Sequence, residues 1–418
     1  MKVLIKKAII TEPGKGNPGK RVDILIEDGI ISAVEKDIVV EGAQTLEFDN
    51  LHVSPGWIDL GTQHGEPGFE QRETLESLAL SAVNGGYTAL AVAPNTHPPV
   101  QRRSEIDSLL KKSENLPVKI LPVGAATENC EGQNLNEYMD MAKSGAIAFS
   151  DGRRPITDSG TLSRTLIYAS AANKPIINRP LQMSFSPFGI IHEGEQSLKL
   201  GLEGIPAEAE TIALQQDLSV FKYSGGKLIE LGISSENSIA LLKNKPEGFY
   251  CGVAAMNILF TDDELKEFNT YCKVMPPLRA ESDKNALIRA IKNGEIDFIF
   301  SNHDPGEAEI KDVEFGAAAF GASTLDNSFS MAWTALKGQM ELTDFIQLIC
   351  HNPYRALQLT PPTVKPGSEA NLTLFNPDKE VVFKKADLQS LSFANPALNK
   401  PLVGQVYGTI IGKSVNFI

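Results

Sequence analysis

The sequence predicts an α/β protein, a (β/α)8 TIM-type barrel carrying a small β-sandwich domain built from both chain termini. Three observations carry this. Strand-like segments crowd the first and last fifty residues, and the middle alternates short apolar runs with amphipathic helices. The length, 418 residues at 42% hydrophobic content, suffices for one large core and a smaller satellite. The expected bounds are 1–50 and 364–418 for the two parts of the β-domain and 51–363 for the barrel.

At the N-terminal end, "KVLIKKAII" and "RVDILIEDGIISAVE" read as strands, and Asp28-Gly29 between β-branched runs is a hairpin signal. "GSEANLTLFNP", "KEVVF" and "QVYGTIIGKSVNFI" alternate apolar and polar residues in the same way at the C-terminal end. Between them, "YTALAVAP", "VKILPVGAAT", "AIAFSD", "KPIIN", "KLIELGIS", "FYCGVA" and "IDFIFS" are nearly continuous apolar segments, the pattern of strands buried on both faces of a parallel sheet. The intervening helices show one apolar face. Leu75, Leu78, Ala79 and Ala82 form a stripe that stops at Gly85-Gly86, and Leu287, Ile288 and Ile291 form another that stops at Gly294.

A net charge of −13, from 52 acidic and 39 basic residues, argues against a general nucleic-acid or anionic-membrane surface. No apolar run reaches the ~18 residues of a membrane span, and the N-terminus lacks a signal-peptide pattern, so a soluble cytoplasmic protein is expected. The four cysteines are scattered without C-x-x-C spacing, which predicts half-buried thiols and neither a disulfide framework nor a structural zinc site. There are only six histidines.

The segments "PGWIDL…EPGFE", "APNTHPP", "GAIAFSD", "HEGEQSLKLGLEGIPAEAE", "KVMPPLR", "AIKNGEIDFIFSNHDP", "AFGASTLDN" and "GSEANLTLFNP" occur in this order over nearly the whole chain. In this the sequence resembles dihydroorotase, of the amidohydrolase superfamily. The resemblance implies the barrel, a role in pyrimidine biosynthesis, and a two-zinc centre that generates hydroxide and polarises a cyclic amide. It places the metal ligands at Gly61, Gln63, Gly152, Arg179, Gly232 and Asn302, the last also being the place of the catalytic base. None of these is a zinc ligand of the ordinary kind, so no metal is expected. Substrate-holding places fall at Gly65, Met275 and Gly306, which have lost the family's side chains. Asn95 and the turn at Phe320-Gly321 survive, and with Arg179 and Asp151 they make up the expected remnant of the pocket.

Other polar residues near the implied centre allow weaker readings. His64 stands one residue from a ligand place and should face away from Gln63. His303 and Asp304 follow the degenerate base and could retain acid–base work. A rebuilt single-metal site would draw on Glu230, Asp151, His64 and His303. The milder expectation is that the Arg179 guanidinium replaces the metal charge and pairs with Asp151, Glu66 or Glu230.

Two functions follow from the resemblance. One is a non-catalytic homologue, a pseudoenzyme with no cofactor that forms homo-oligomers or assembles with aspartate transcarbamoylase. The other is an active cyclic amidohydrolase with a rebuilt zinc site. Neither involves nucleic acid or a membrane.

Overall fold

The computed structural model describes residues 2–14 and 19–418. Five short strands open the chain: β1 (Lys2–Ile10), β2 (Arg21–Glu27), β3 (Ile30–Glu35), β4 (Gln44–Leu46) and β5 (His52–Pro55). At the hairpin between β2 and β3, Asp28 and Gly29 have φ of 50° and 85°. Both central residues are therefore left-handed, as a two-residue turn matching strand twist requires, and Asp and Gly tolerate it best.

The barrel strands are β6 (Trp57–Thr62), β7 (Tyr87–Val92), β8 (Lys119–Ala125), β9 (Ala148–Ser150) and β10 (Ile176–Asn178). After a two-stranded ribbon of β11 (Ile191–His192) and β12 (Gly204–Ile205), β13 (Leu228–Leu231), β14 (Phe249–Ala254) and β15 (Phe298–Phe300) complete it. The eight lie side by side in chain order, every recorded pairing parallel. Between β15 and β6 the ring is joined by Gln63 N donating to His303 O at 2.9 Å. The Asp59 carboxylate reinforces this seam by accepting from Ser301 N and Oγ, each at 2.6 Å.

Three strands, β16 (Asn371–Val382), β17 (Pro401–Ile411) and β18 (Ser414–Phe417), end the chain. They continue the N-terminal strands in one mixed sheet of order β18-β17-β16-β5-β1-β2-β3, with β4 also on β1. The sheet curls until β3 meets the segment before β16, where Ile31 N donates to Ser368 O at 2.9 Å. Val3, Ile5, Ile24, Ile26, Val53, Leu372, Leu374 and Ile410 fill the enclosed face. Their period-2 spacing is what puts them on one side. The expected boundary at residue 51 is corrected here: β5 pairs with β1 and β16, and the barrel begins at Trp57, after Pro55-Gly56 breaks the strand.

Capping follows local chemistry. The helix Leu75–Gly85 starts at Thr74, whose side chain accepts from Ser77 N, and ends on Gly86 at φ 86°. All four cysteines are free and buried, not half-buried as expected: Cys251, Cys272 and Cys350 pack in the barrel core, and Cys130 is covered in the turn Glu128–Cys130 that follows β8. Among the described residues no helix is long and apolar enough to cross a membrane.

Candidate functional site

In a barrel of this kind, chemistry gathers at the C-terminal ends of the strands. Gly61, near the end of β6, sits on a bulge: pairing to β7 shifts between Leu60↔Ala91 and Thr62↔Val92, and its φ is 76°. A Cβ there would lie 2.6 Å from Leu231 Cδ1. Gly152, past β9, has φ 62°, and a Cβ would lie 1.8 Å from Asn95 Oδ1. At Gly232, a Cβ would meet Pro276 Cδ at 3.0 Å. Neighbours have thus moved into the room that side chains at these three positions would need.

The other three places hold two neutral amides, Gln63 and Asn302, and one guanidinium, Arg179. Gln63 is 2% exposed, and neither Oε1 nor Nε2 has a hydrogen-bond partner. Arg179 Nη1 and Nη2 each donate to Asn302 Oδ1 at 3.2 Å, and Nη1 also reaches Met275 O at 3.4 Å. Asn302 Nδ2 donates to Met275 O at 3.1 Å. The Arg179 guanidinium is held below its ordinary pKa by burial, an effect that the charge of Asp304 opposes and that of Arg153 reinforces. No carboxylate lies within ion-pair distance of it among the described residues.

These residues do not fit zinc. Three glycines offer no donor, two amides are weak neutral ligands, and a guanidinium repels a cation. Among the described residues, no three His, Cys, Asp or Glu side chains converge as metal ligands. The space between Gly61, Gln63, Ser150, Gly152, Arg179 and Leu231 amounts to about 10 Å3. That is room for one water-sized occupant, against the several hundred Å3 of an ordinary small-molecule pocket.

The expected substrate-holding residues are engaged with the protein itself. Asn95 Nδ2 donates to Asp151 O, and Arg153 N donates to Asn95 Oδ1, both at 2.9 Å. The Asp151 carboxylate accepts from Thr127 N at 2.8 Å and Thr127 Oγ1 at 2.5 Å, and burial raises its pKa. Phe320 stacks over Lys273 Nζ at 5.2 Å, and Gly321 N donates to Lys273 O at 3.0 Å. Asp304 pairs with Arg153 at the rim.

The expected carboxylate partner of Arg179 is corrected: none of the three named residues reaches it. Asp151 is spent on Thr127, and Glu66 pairs with Lys112 at 2.7 Å. Glu230 is next to Leu231, which lines the closed space, so strand alternation turns it outward toward the helix Glu208–Ser224. There it shares the strand–helix layer with Asp217, itself bonded by Asn178 Nδ2 at 3.0 Å. His64 is buried and its pKa falls to about 4, chiefly through burial. His303 lies in the layer behind the mouth: its Nδ1 accepts from Thr324 N and Leu325 N at 3.2 Å, and its Nε2 is 3.3 Å from Glu73 Oε2. Glu230, Asp151, His64 and His303 therefore do not assemble into the rebuilt metal site.

The Glu230–Asp217 pair yields a pH prediction. Burial raises Asp217 to about 7, and burial together with the Asp217 charge raises Glu230 well above the usual carboxylate range. Folded pKa values above unfolded ones give stability that is present at low pH and lost as pH rises through the folded values. The share of Asp217 should fall between about pH 4 and 7, the interval from its unfolded to its folded value, and that of Glu230 should begin to fall in the same range and continue upward to its own raised value. Thermal denaturation of Glu230→Gln should show a flatter decline of Tm across that window than the unaltered chain, because one of the two protons is gone.

Sequence reasoning missed two contributors. Leu231 fills the space beside Gly61; its signal was an apolar residue directly before a glycine at a ligand place. Arg153, in "SDGRRP", clamps Asn95 and Asp304; its signal was a second cation beside the missing carboxylate.

Comparison with known proteins agrees with this architecture. Residues 51–238 match the family model described as dihydro-orotase-like. Dihydroorotase of Syntrophus aciditrophicus is 32% identical over 418 residues, covering 98% of each chain. Dihydroorotase of Acetivibrio thermocellus is 32% identical over 99% of this chain and 98% of its own length, and that of Aquifex aeolicus 31% over 98% of each. Among solved structures, L-hydantoinase (dihydropyrimidinase) from Arthrobacter aurescens superposes with a TM-score of 0.86 at 23% identity, over 99% of this chain and 95% of that one. A D-hydantoinase gives 0.82 at 17%, over 100% and 96%. These structures establish the shared barrel fold, and the full-length identity to the dihydroorotases establishes the family: the chain belongs to the dihydroorotase family.

Proposed function

We propose that this chain is a non-catalytic member of the dihydroorotase family, acting in the cytoplasm as a structural or regulatory partner of aspartate transcarbamoylase in pyrimidine biosynthesis. The observation that carries the non-catalytic reading is the Arg179–Asn302 contact. A fixed cation donates to the residue standing where the family places its base and metal-binding carboxylate. Without metal hydroxide the reaction loses its nucleophile and its electrophile together, and the residual volume of about 10 Å3 excludes a six-membered ring. The partner reading is supported by the resemblance and by what the chain has kept, a complete barrel and terminal domain over the full length of its relatives. Its test is size-exclusion chromatography of the chain mixed with aspartate transcarbamoylase from the same genome, with transcarbamoylase activity measured across the peak. Co-elution with altered activity is expected. Separate elution at micromolar concentrations would remove the partner role and leave the non-catalytic reading to its own test.

A further inference from the structure

We propose that the closed space at the barrel mouth is a monatomic-anion site, in which Arg179 and Gln63 hold a chloride ion where the family's chemistry would place cations. The proposal rests on the non-catalytic reading only in requiring that zinc is not bound there, and it is independent of any protein partner.

Two independent observations converge on this space. The first is charge: among the described residues the Arg179 guanidinium is bonded only to the neutral acceptors Asn302 Oδ1 and Met275 O. A half-buried cation whose nearest carboxylate, Asp304, acts on it only from beyond ion-pair distance gains from a bound anion what a water does not supply. The second is Gln63, 2% exposed, with both amide heteroatoms unpartnered and its side chain lining the same space. Its NH2 supplies two donors, and amide orientation is exchangeable.

Ser150 completes the polar lining. Its Oγ accepts from Gly152 N at 2.9 Å, leaving its own hydrogen to turn inward. Among the described residues no free carboxylate lines this space to compete for these donors. Asp151 is bonded to Thr127 and Asp304 to Arg153. A volume of about 10 Å3 is the size of one water, so a chloride ion seats there with a small outward give of the Gln63 and Arg179 side chains, and phosphate or a carboxylic acid is excluded.

Crystals of the full chain soaked in sodium bromide, with data collected at the bromine edge, test the assignment directly. An anomalous peak in contact with Arg179 and Gln63 is expected. In solution, Tm should rise by about 2 °C for each tenfold increase in bromide or chloride above saturation, at ionic strength held constant with gluconate. Gln63→Leu, which keeps the volume and removes the donors, should abolish both signals. Absence of the peak together with a halide-independent Tm would show that the space holds water and overturn the proposal. A peak that persists in Gln63→Leu would equally overturn the role of that residue. Should Gln63→Leu fail to fold, the diffraction result on the unaltered chain still decides.

Discussion

Replacing Arg279 by Met should lower stability by about 3–5 kcal/mol, whereas Arg179→Met should leave it within about 1 kcal/mol. The two arginines lie near one another along the pocket rim, yet their surroundings differ in sign. Arg279 is 3% exposed: its Nη2 lies 3.4 Å from Glu210 Oε2, its Nε donates to Ser234 Oγ at 2.8 Å, and its Nη1 is 3.2 Å from His192 Nδ1. Glu210 also accepts from Ser234 N at 3.0 Å and Ser235 N at 3.1 Å, so the whole cluster is built around one buried pair. Removing the cation strands a buried carboxylate, which is the costly way to break such a pair. Arg179 faces only amide and carbonyl oxygens. Its loss leaves Asn302 Oδ1 without those donors, at roughly 1–3 kcal/mol, and relieves a partly desolvated charge, the desolvation that lowers the guanidinium pKa. This replaces the larger cost expected had Arg179 paired with a carboxylate. Urea denaturation of both variants checks the contrast; equal losses would refute it.

Gly152→Asp, which reinstates the carboxylate that the resemblance implies, should destabilise the chain by about 2–4 kcal/mol without conferring zinc affinity. The new Cβ would lie 1.8 Å from Asn95 Oδ1, so Asn95 must leave its clamp between Asp151 O and Arg153 N. Two hydrogen bonds at about 0.5–1.5 kcal/mol each are lost, and a non-glycine residue at φ 62° adds about 1 kcal/mol or more. Zinc would still meet no histidine at positions 61 and 63. The pair of measurements is thermal denaturation with and without zinc. A variant as stable as the unaltered chain, or one whose Tm climbs with added zinc, would contradict this account.

Much of the architecture is written locally. Asp28-Gly29 specifies its turn by backbone conformation alone, and the strand runs from "YTALAVAP" to "IDFIFS" are apolar enough to be placed without knowing their neighbours. The boundary at β5 was not legible, because "HVSP" is only four residues long with mixed polarity and its sheet is decided in part by pairing with residues over 300 positions away. The degenerate ligand places could be named one at a time from motif order. What fills them could not: the approach of Leu231 to Gly61 and the choice of Asn302 over a carboxylate by Arg179 depend on side chains from different strands converging. Glu230 illustrates the same limit. Its acidity suggested a place at the mouth, and strand alternation put it on the opposite face, beside Asp217.

The proposed non-catalytic role requires that this member of the dihydroorotase family hold no metal centre and carry out no hydrolytic chemistry. The most direct test is elemental analysis of the full chain after equilibration with excess zinc and removal of free ion, with dihydroorotate hydrolysis assayed on the same sample. Zinc well below one ion per chain and no turnover above the buffer rate is the predicted result. Two zinc ions per chain with measurable hydrolysis would contradict it.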